Sequence, residues 1–86
     1  MTDFNMLYEK LPQNKKDTIQ VLRKRMALDL SINVRDKIPF ELYLMCANLP
    51  PMETFTFEGK TYTNTFLIKA RSIRIINTID PSINLQ

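Results

Sequence analysis

Histidine and tryptophan do not occur in this 86-residue chain; glycine occurs once, as Gly59, and cysteine once, as Cys46. Histidine is the usual general base near neutral pH and the commonest metal ligand. Without it, serine-triad, cysteine–histidine and zinc–histidine chemistries are excluded. A single glycine excludes a glycine-rich phosphate loop. A single cysteine excludes an internal disulfide, and its place inside "FELYLMCANL" reads as a buried thiol behaving as a small hydrophobe. The nine acidic residues are spread along the chain, with no tight cluster of the two-metal kind. Glu53 and Glu58 flank a strand, and Asp36 and Glu41 flank a helix; all four read as caps and solvated charge. No catalytic residue, metal ligand or cofactor is assigned, so the chain is expected to be non-enzymatic.

Long apolar runs are also missing. None nears the ~20 residues of a membrane span, so no membrane partner is expected. No secretory signal is recognised, and together with the lone thiol this points to a reducing, cytoplasmic setting. Seven asparagines and nine isoleucines beside one glycine are the bias that AT-rich coding produces. Short AT-rich genes without catalytic motifs are common in bacteriophages, where the setting becomes the host cytoplasm.

What is present fits one small basic domain spanning 1–86, with 81–86 as a tail. Hydrophobic residues make up 44% of the chain and the net charge is +3. The first is enough for a single core. The second permits nucleic acid or an acidic protein as partner without selecting between them.

Apolar spacing then divides the chain. Phe4, Leu7, Tyr8 and Leu11 fall at i, i+3, i+4, i+7, one stripe of a short helix that Thr2 or Asp3 can cap and Pro12 ends. From Pro12 to about Leu30, Ile19, Leu22, Met26 and Leu30 form the core stripe of a second helix. Val21 and Leu28, seven residues apart on another side, form either a second buried face or a contact surface for another copy. "SINVRDKI" reads as a connector. Pro39 then opens a third helix in which Phe40, Tyr43, Leu44 and Ala47 repeat the stripe.

Beyond Pro51, threonines alternate with aromatics, a strand signature. "EG" at 58–59 marks a two-residue hairpin turn that pairs Phe57 with Lys60, Phe55 with Tyr62 and Thr56 with Thr61. The segment 66–79 is ambiguous. Its β-branched content favours strand, although Phe66, Ala70, Ile73 and Asn77 align on a helix. The fold expected is α+β, with two or three N-terminal helices on a small antiparallel sheet near 53–65. The alternative is mostly α, with one hairpin and a C-terminal helix.

Two groups of bases carry the functional reading. "KKDTIQVLRKRM" at 15–26 holds five bases and one acid. Lys16, Arg23 and Lys24 share one side of the second helix, while Arg25 is placed to pair with Asp29 at i+4. The second group is Lys60, Lys69, Arg71 and Arg74, close in sequence to Phe55, Phe57 and Tyr62. Phe55 and Phe57 suit the core. Tyr62 suits either the core or stacking on an unpaired base. Either group could instead be a solvated surface.

The leading expectation is a regulatory protein that binds nucleic acid, RNA foremost, or another phosphate-bearing anion. Phosphates would be neutralised by Lys16, Arg23, Lys24, Lys60, Lys69, Arg71 and Arg74, with a base stacked on Tyr62. A homodimer through Val21 and Leu28 would double the charge. The alternatives are an inhibitor or adaptor of a host protein and a structural component of an assembly.

Overall fold

The longest helix follows directly from the sequence pattern. In the computed structural model, which describes residues 2–83 and 85, α2 runs Gln13–Asp29 with Pro12 as its N-cap. Its core stripe Ile19, Leu22, Met26 and Leu30 is buried, as expected. Burial of such side chains contributes roughly 1.5–3 kcal/mol each. α1, Phe4–Glu9, precedes it, and Asp3 Oδ1 accepts the Met6 amide at 3.1 Å as an N-cap. Phe4 is buried, while Leu7, Tyr8 and Leu11 pack half-buried on the core.

α2 ends in a left-handed residue. Ser31 takes φ 56°, and the Ile32 amide reaches back to the Ala27 carbonyl at 2.8 Å. This is the Schellman closure, in which glycine is the usual residue because it has no Cβ to strain. It redirects the chain into the connector, where Ile32 packs on the core and a 3₁₀ turn forms at Arg35–Lys37. α3, Phe40–Asn48, starts after Pro39, as the sequence suggested.

β1, Thr54–Phe57, and β2, Lys60–Thr63, form the two-stranded antiparallel hairpin. Its register is the one expected: Phe55 opposite Tyr62, Thr56 opposite Thr61, Phe57 opposite Lys60. Glu58 and Gly59 have φ 50° and 78°. Two successive positive φ values define the type I′ turn, whose twist matches that of the flanking strands.

The strand expectation for 66–79 is corrected. This segment is α4, Phe66–Ile79, capped by Thr65 Oγ1, which accepts the Ile68 amide at 3.2 Å. Its buried face is Ile68, Ser72, Ile75, Ile76 and Ile79. That is a helical stripe, obscured in the sequence because a serine occupies one of its positions. The isoleucines favour strand only weakly, and packing overrides such preferences. α4 packs on α3 and on α2, so it forms the centre of the helical layer. The chain is therefore α+β, with three helices before the hairpin and one after it.

Of the tail expected at 81–86, Ile83 and Leu85 pack half-buried against the core, and Asn84 and Gln86 lie outside the described residues. Among the described residues, no helix is long and apolar enough to cross a membrane.

Candidate nucleic-acid interface

Three bases expected on an exterior surface turn inward. Arg23 is only 8% exposed. Its guanidinium donates to the Ile38 carbonyl at 2.9 Å, to the Arg35 carbonyl at 3.3 Å and to Tyr43 Oη at 3.4 Å. It also lies over the Phe40 ring, 4.6 Å from the centroid. The five donors of an arginine fork allow one side chain to satisfy several acceptors while stacking on an aromatic face. Lys69 Nζ donates to the Ala47 and Leu49 carbonyls, both at 2.7 Å, and so closes the C-terminal end of α3. A cation there also complements the negative end of the helix. Arg71 pairs with Asp29 across the α2–α4 seam. That contact takes the carboxylate expected to serve Arg25, so the i+4 pairing within α2 does not form.

Lys16 is partly occupied as well, 3.5 Å from Glu9 and 5.7 Å from the centroid of Tyr8. Arg35 pairs weakly with Asp36 and donates to Gln20 Oε1 at 2.8 Å. Among the described residues, Lys10, Lys15, Lys24, Arg25, Lys37, Lys60 and Arg74 stand outside every ion pair within 4.0 Å. These residues carry the protein's available positive charge.

Two of them meet in one concave place. Lys37, at the end of the 3₁₀ turn, and Lys60, at the start of β2, line a groove of about 220 Å³ between connector and hairpin. Tyr62, Phe57, Val34 and Asn33 share the lining, with Glu58 as its one carboxylate. The Tyr62 ring stacks on Phe55 at 5.5 Å and 24°, and Lys60 Nζ lies 5.8 Å from its centroid. Tyr62 is thus an aromatic wall already braced from within the hairpin. Phe55 is core and Phe57 half-buried, in line with the core reading of both.

A neighbouring groove of about 390 Å³ shares Lys37, Phe57 and Glu58, and Arg23 lies in its lining. It adds Asp36 and Glu41. Its three carboxylates balance Arg23 and Lys37, so an anion gains little there.

A third depression, of about 260 Å³, lies between α2 and α4. Thr18, Val21, Leu22, Arg25 and Arg74 line it. Bases from the two distant basic segments do meet here, but they are Arg25 and Arg74 rather than the larger set expected. Lys24 is exposed on the outer side of α2.

Two buried groups have shifted titration. Burial raises the Tyr43 phenol, against the opposing pull of Arg23. Burial also pushes the Cys46 thiol up to about 11. The neighbouring Ser72 hydroxyl opposes that shift without meeting hydrogen-bond geometry, and the Lys69 charge opposes it more weakly. A thiol held neutral in the core is a poor nucleophile. Among the described residues, no group of histidine, cysteine, aspartate and glutamate side chains could hold a metal ion.

Lys37 was missed in the sequence because it lies in the aperiodic connector, where nothing fixes direction. Its only signal was position: it precedes Ile38, which is fully buried, so the chain is anchored there and Lys37 faces outward. No protein-family model matches this chain, and neither a curated protein nor a solved structure matches it.

Proposed function

We infer that this protein binds RNA, or another phosphate-bearing polymer, through the hairpin–connector groove. The observation that carries the reading is that Lys37 and Lys60 are 23 residues apart in sequence, line one groove, and have no ion-pair partner within 4.0 Å among the described residues. Two ammonium groups outnumber the one carboxylate of the lining. Tyr62 supplies an aromatic surface beside them, and bases with aromatics are the ingredients of single-strand recognition. The role is one of binding and regulation. The type I′ hairpin and the buried Ile38 hold the two lysines on rigid supports, so little ordering cost falls on the protein when a strand enters.

The test is fluorescence anisotropy of a labelled single-stranded RNA across a salt series. Affinity is expected to fall steeply with salt, because each neutralised phosphate releases counterion. Replacing both Lys37 and Lys60 by serine should flatten the log–log slope by about 1.4, from ~0.7 per single-strand phosphate. Affinity that is flat in salt, or a slope unmoved by the double substitution, overturns the reading. A pull-down from lysate with and without nuclease separates RNA from a protein partner, for which exposed Phe66 and Leu67 at the start of α4 speak.

A further inference from the structure

Arg25 of α2 and Arg74 of α4 line one depression of about 260 Å³, and no carboxylate stands in its lining. Among the described residues, neither guanidinium joins an ion pair or donates a hydrogen bond. About one helical turn along the same seam, Arg71 is paired with Asp29. That carboxylate is therefore spent, and Arg71 is answered where Arg25 and Arg74 are not. Two like charges sharing one hollow repel, and an anion placed between them relieves the repulsion.

The lining selects among anions. Thr18 Oγ1 donates to the Asn14 carbonyl at 3.1 Å, so its proton is used and polar recognition falls to the two arginines. A guanidinium fork suits a carboxylate and a phosphate equally well in shape. Charge separates them. A carboxylate or a backbone phosphodiester carries one negative charge, whereas a phosphate monoester carries about 1.5 to 2 near pH 7. Only the monoester matches two unpaired guanidiniums. Size points the same way. The depression is smaller than the ~300–1,000 Å³ of pockets that enclose whole ligands, so it admits one group of a ligand and leaves the rest outside. Val21, 54% exposed, and Leu22 give the hollow an apolar side, where the carbon atoms next to the phosphate can lie.

We propose that the Arg25–Arg74 depression is a binding site for the phosphate group of a small organic phosphate monoester. It shares no lining residue with the groove of Lys37 and Lys60, and it does not depend on the RNA reading.

The test is isothermal titration calorimetry of the full chain with phenyl phosphate, at low and moderate salt, with benzoate as the singly charged comparison. Saturable binding of one phenyl phosphate per chain is expected, weakening with salt, and benzoate should bind at least about tenfold more weakly. Arg25→Gln and Arg74→Gln should each weaken phenyl phosphate at least about tenfold, the scale of a lost charge-assisted bond. Their circular dichroism and urea midpoints should match wild type, because neither side chain is bonded within the fold. Lys24→Gln removes the same charge from the outer side of α2 and should change affinity by less than about twofold. The absence of saturable binding overturns the proposal. So does a loss in Lys24→Gln equal to that in Arg25→Gln, which would mark a general effect of charge, or benzoate bound as tightly as phenyl phosphate. If the two arginine substitutions weaken single-stranded RNA and leave phenyl phosphate unchanged, the depression belongs to the polymer and the proposal also fails.

Discussion

Arg23 and Lys69 sit at opposite ends of α3, and Lys37 and Lys60 both line the groove between connector and hairpin. All four are bases in short basic stretches of one chain, yet the first pair is consumed by the fold and the second is left to the exterior. The difference is set by the main chain. Before α3, the Ile38 carbonyl lies outside any helix ladder and accepts from Arg23, which also reaches the Arg35 carbonyl at the head of the 3₁₀ turn. After it, Ala47 and Leu49 present the free carbonyls of a helix end and accept from Lys69. A buried carbonyl without a donor is costly, so a long cationic side chain within reach is drawn to it. Near Lys37 and Lys60, the Lys37 amide bonds the Val34 carbonyl in the 3₁₀ turn and Lys60 pairs with Phe57 in the hairpin. No interior acceptor draws these side chains in.

The comparison breaks most visibly at Arg23. Arg23→Ala would orphan the Ile38 carbonyl and the Tyr43 hydroxyl, leave the Arg35 carbonyl with the Ile38 amide alone, and strip Phe40 of its stacked guanidinium. The expected loss is about 3 kcal/mol in urea unfolding, the usual scale for removing one member of a buried charged network. Arg23→Lys should recover little, because one ammonium cannot reach three acceptors and stack on a ring. An Arg23→Ala midpoint equal to wild type would show that the interior placement carries no energy.

Lys69 should cost less. In Lys69→Met the Leu49 carbonyl keeps Asn64 Nδ2 at 3.0 Å, so only the Ala47 carbonyl loses its side-chain donor. The expected destabilisation is about 1–2 kcal/mol. The methionine keeps the apolar stem, so the change reports on the charge and its bonds rather than on packing. If Lys69→Met equals Arg23→Ala in effect, the two ends of α3 do not differ in the way their contacts indicate.

Between these two cations lies Cys46, and the same interior treats an anion differently. The thiol ionises near 9 when free and is pushed up to about 11 by burial. The folded state therefore keeps a proton that the unfolded state gives up. The sign follows: this contribution is intact below about pH 9 and is lost as pH rises through about 11. At about pH 10 the loss is on the order of 1 kcal/mol. Comparing the alkaline limb of stability in wild type and Cys46→Ala isolates it, because the burial-raised Tyr43 phenol is common to both. Equal alkaline slopes would remove Cys46 from the account.

Much of the fold was legible because its signals were local and agreed with each other. Asp3, Pro12 and Pro39 set helix starts, the i, i+3, i+4, i+7 stripes set core faces, and Glu58–Gly59 set the hairpin register. α4 was not legible as a helix by apolar spacing, since Ser72 interrupts its stripe and the isoleucines argue for strand. Its signal was Thr65, an N-cap residue ahead of a glycine-free and proline-free run. The candidate site was legible in composition and not in address. A count of bases cannot say which of them will meet a free carbonyl. That depends on contacts between segments far apart in the chain, such as Arg23 with Ile38 and Lys69 with Ala47. Lys60 and Tyr62 were found because a hairpin register fixes side-chain direction. Lys37 was not, because a connector does not.

The smallest stability effect belongs to the exterior pair, and there it carries the most functional meaning. Among the described residues, neither Lys37 nor Lys60 donates a side-chain hydrogen bond or joins an ion pair, so their removal leaves no interior acceptor there unsatisfied. Lys37→Ser and Lys60→Ser together should shift unfolding free energy by no more than about 0.5 kcal/mol, the range of ordinary surface changes. Removing two like charges from a chain of net charge +3 also relieves repulsion, which offsets the lost contact of Lys60 with the Tyr62 ring. A double variant as stable as wild type but with a flattened salt slope for RNA would mark the two lysines as kept for binding. A double variant destabilised on the scale of Lys69→Met would instead place them with the interior bases and erase the contrast between the two regions.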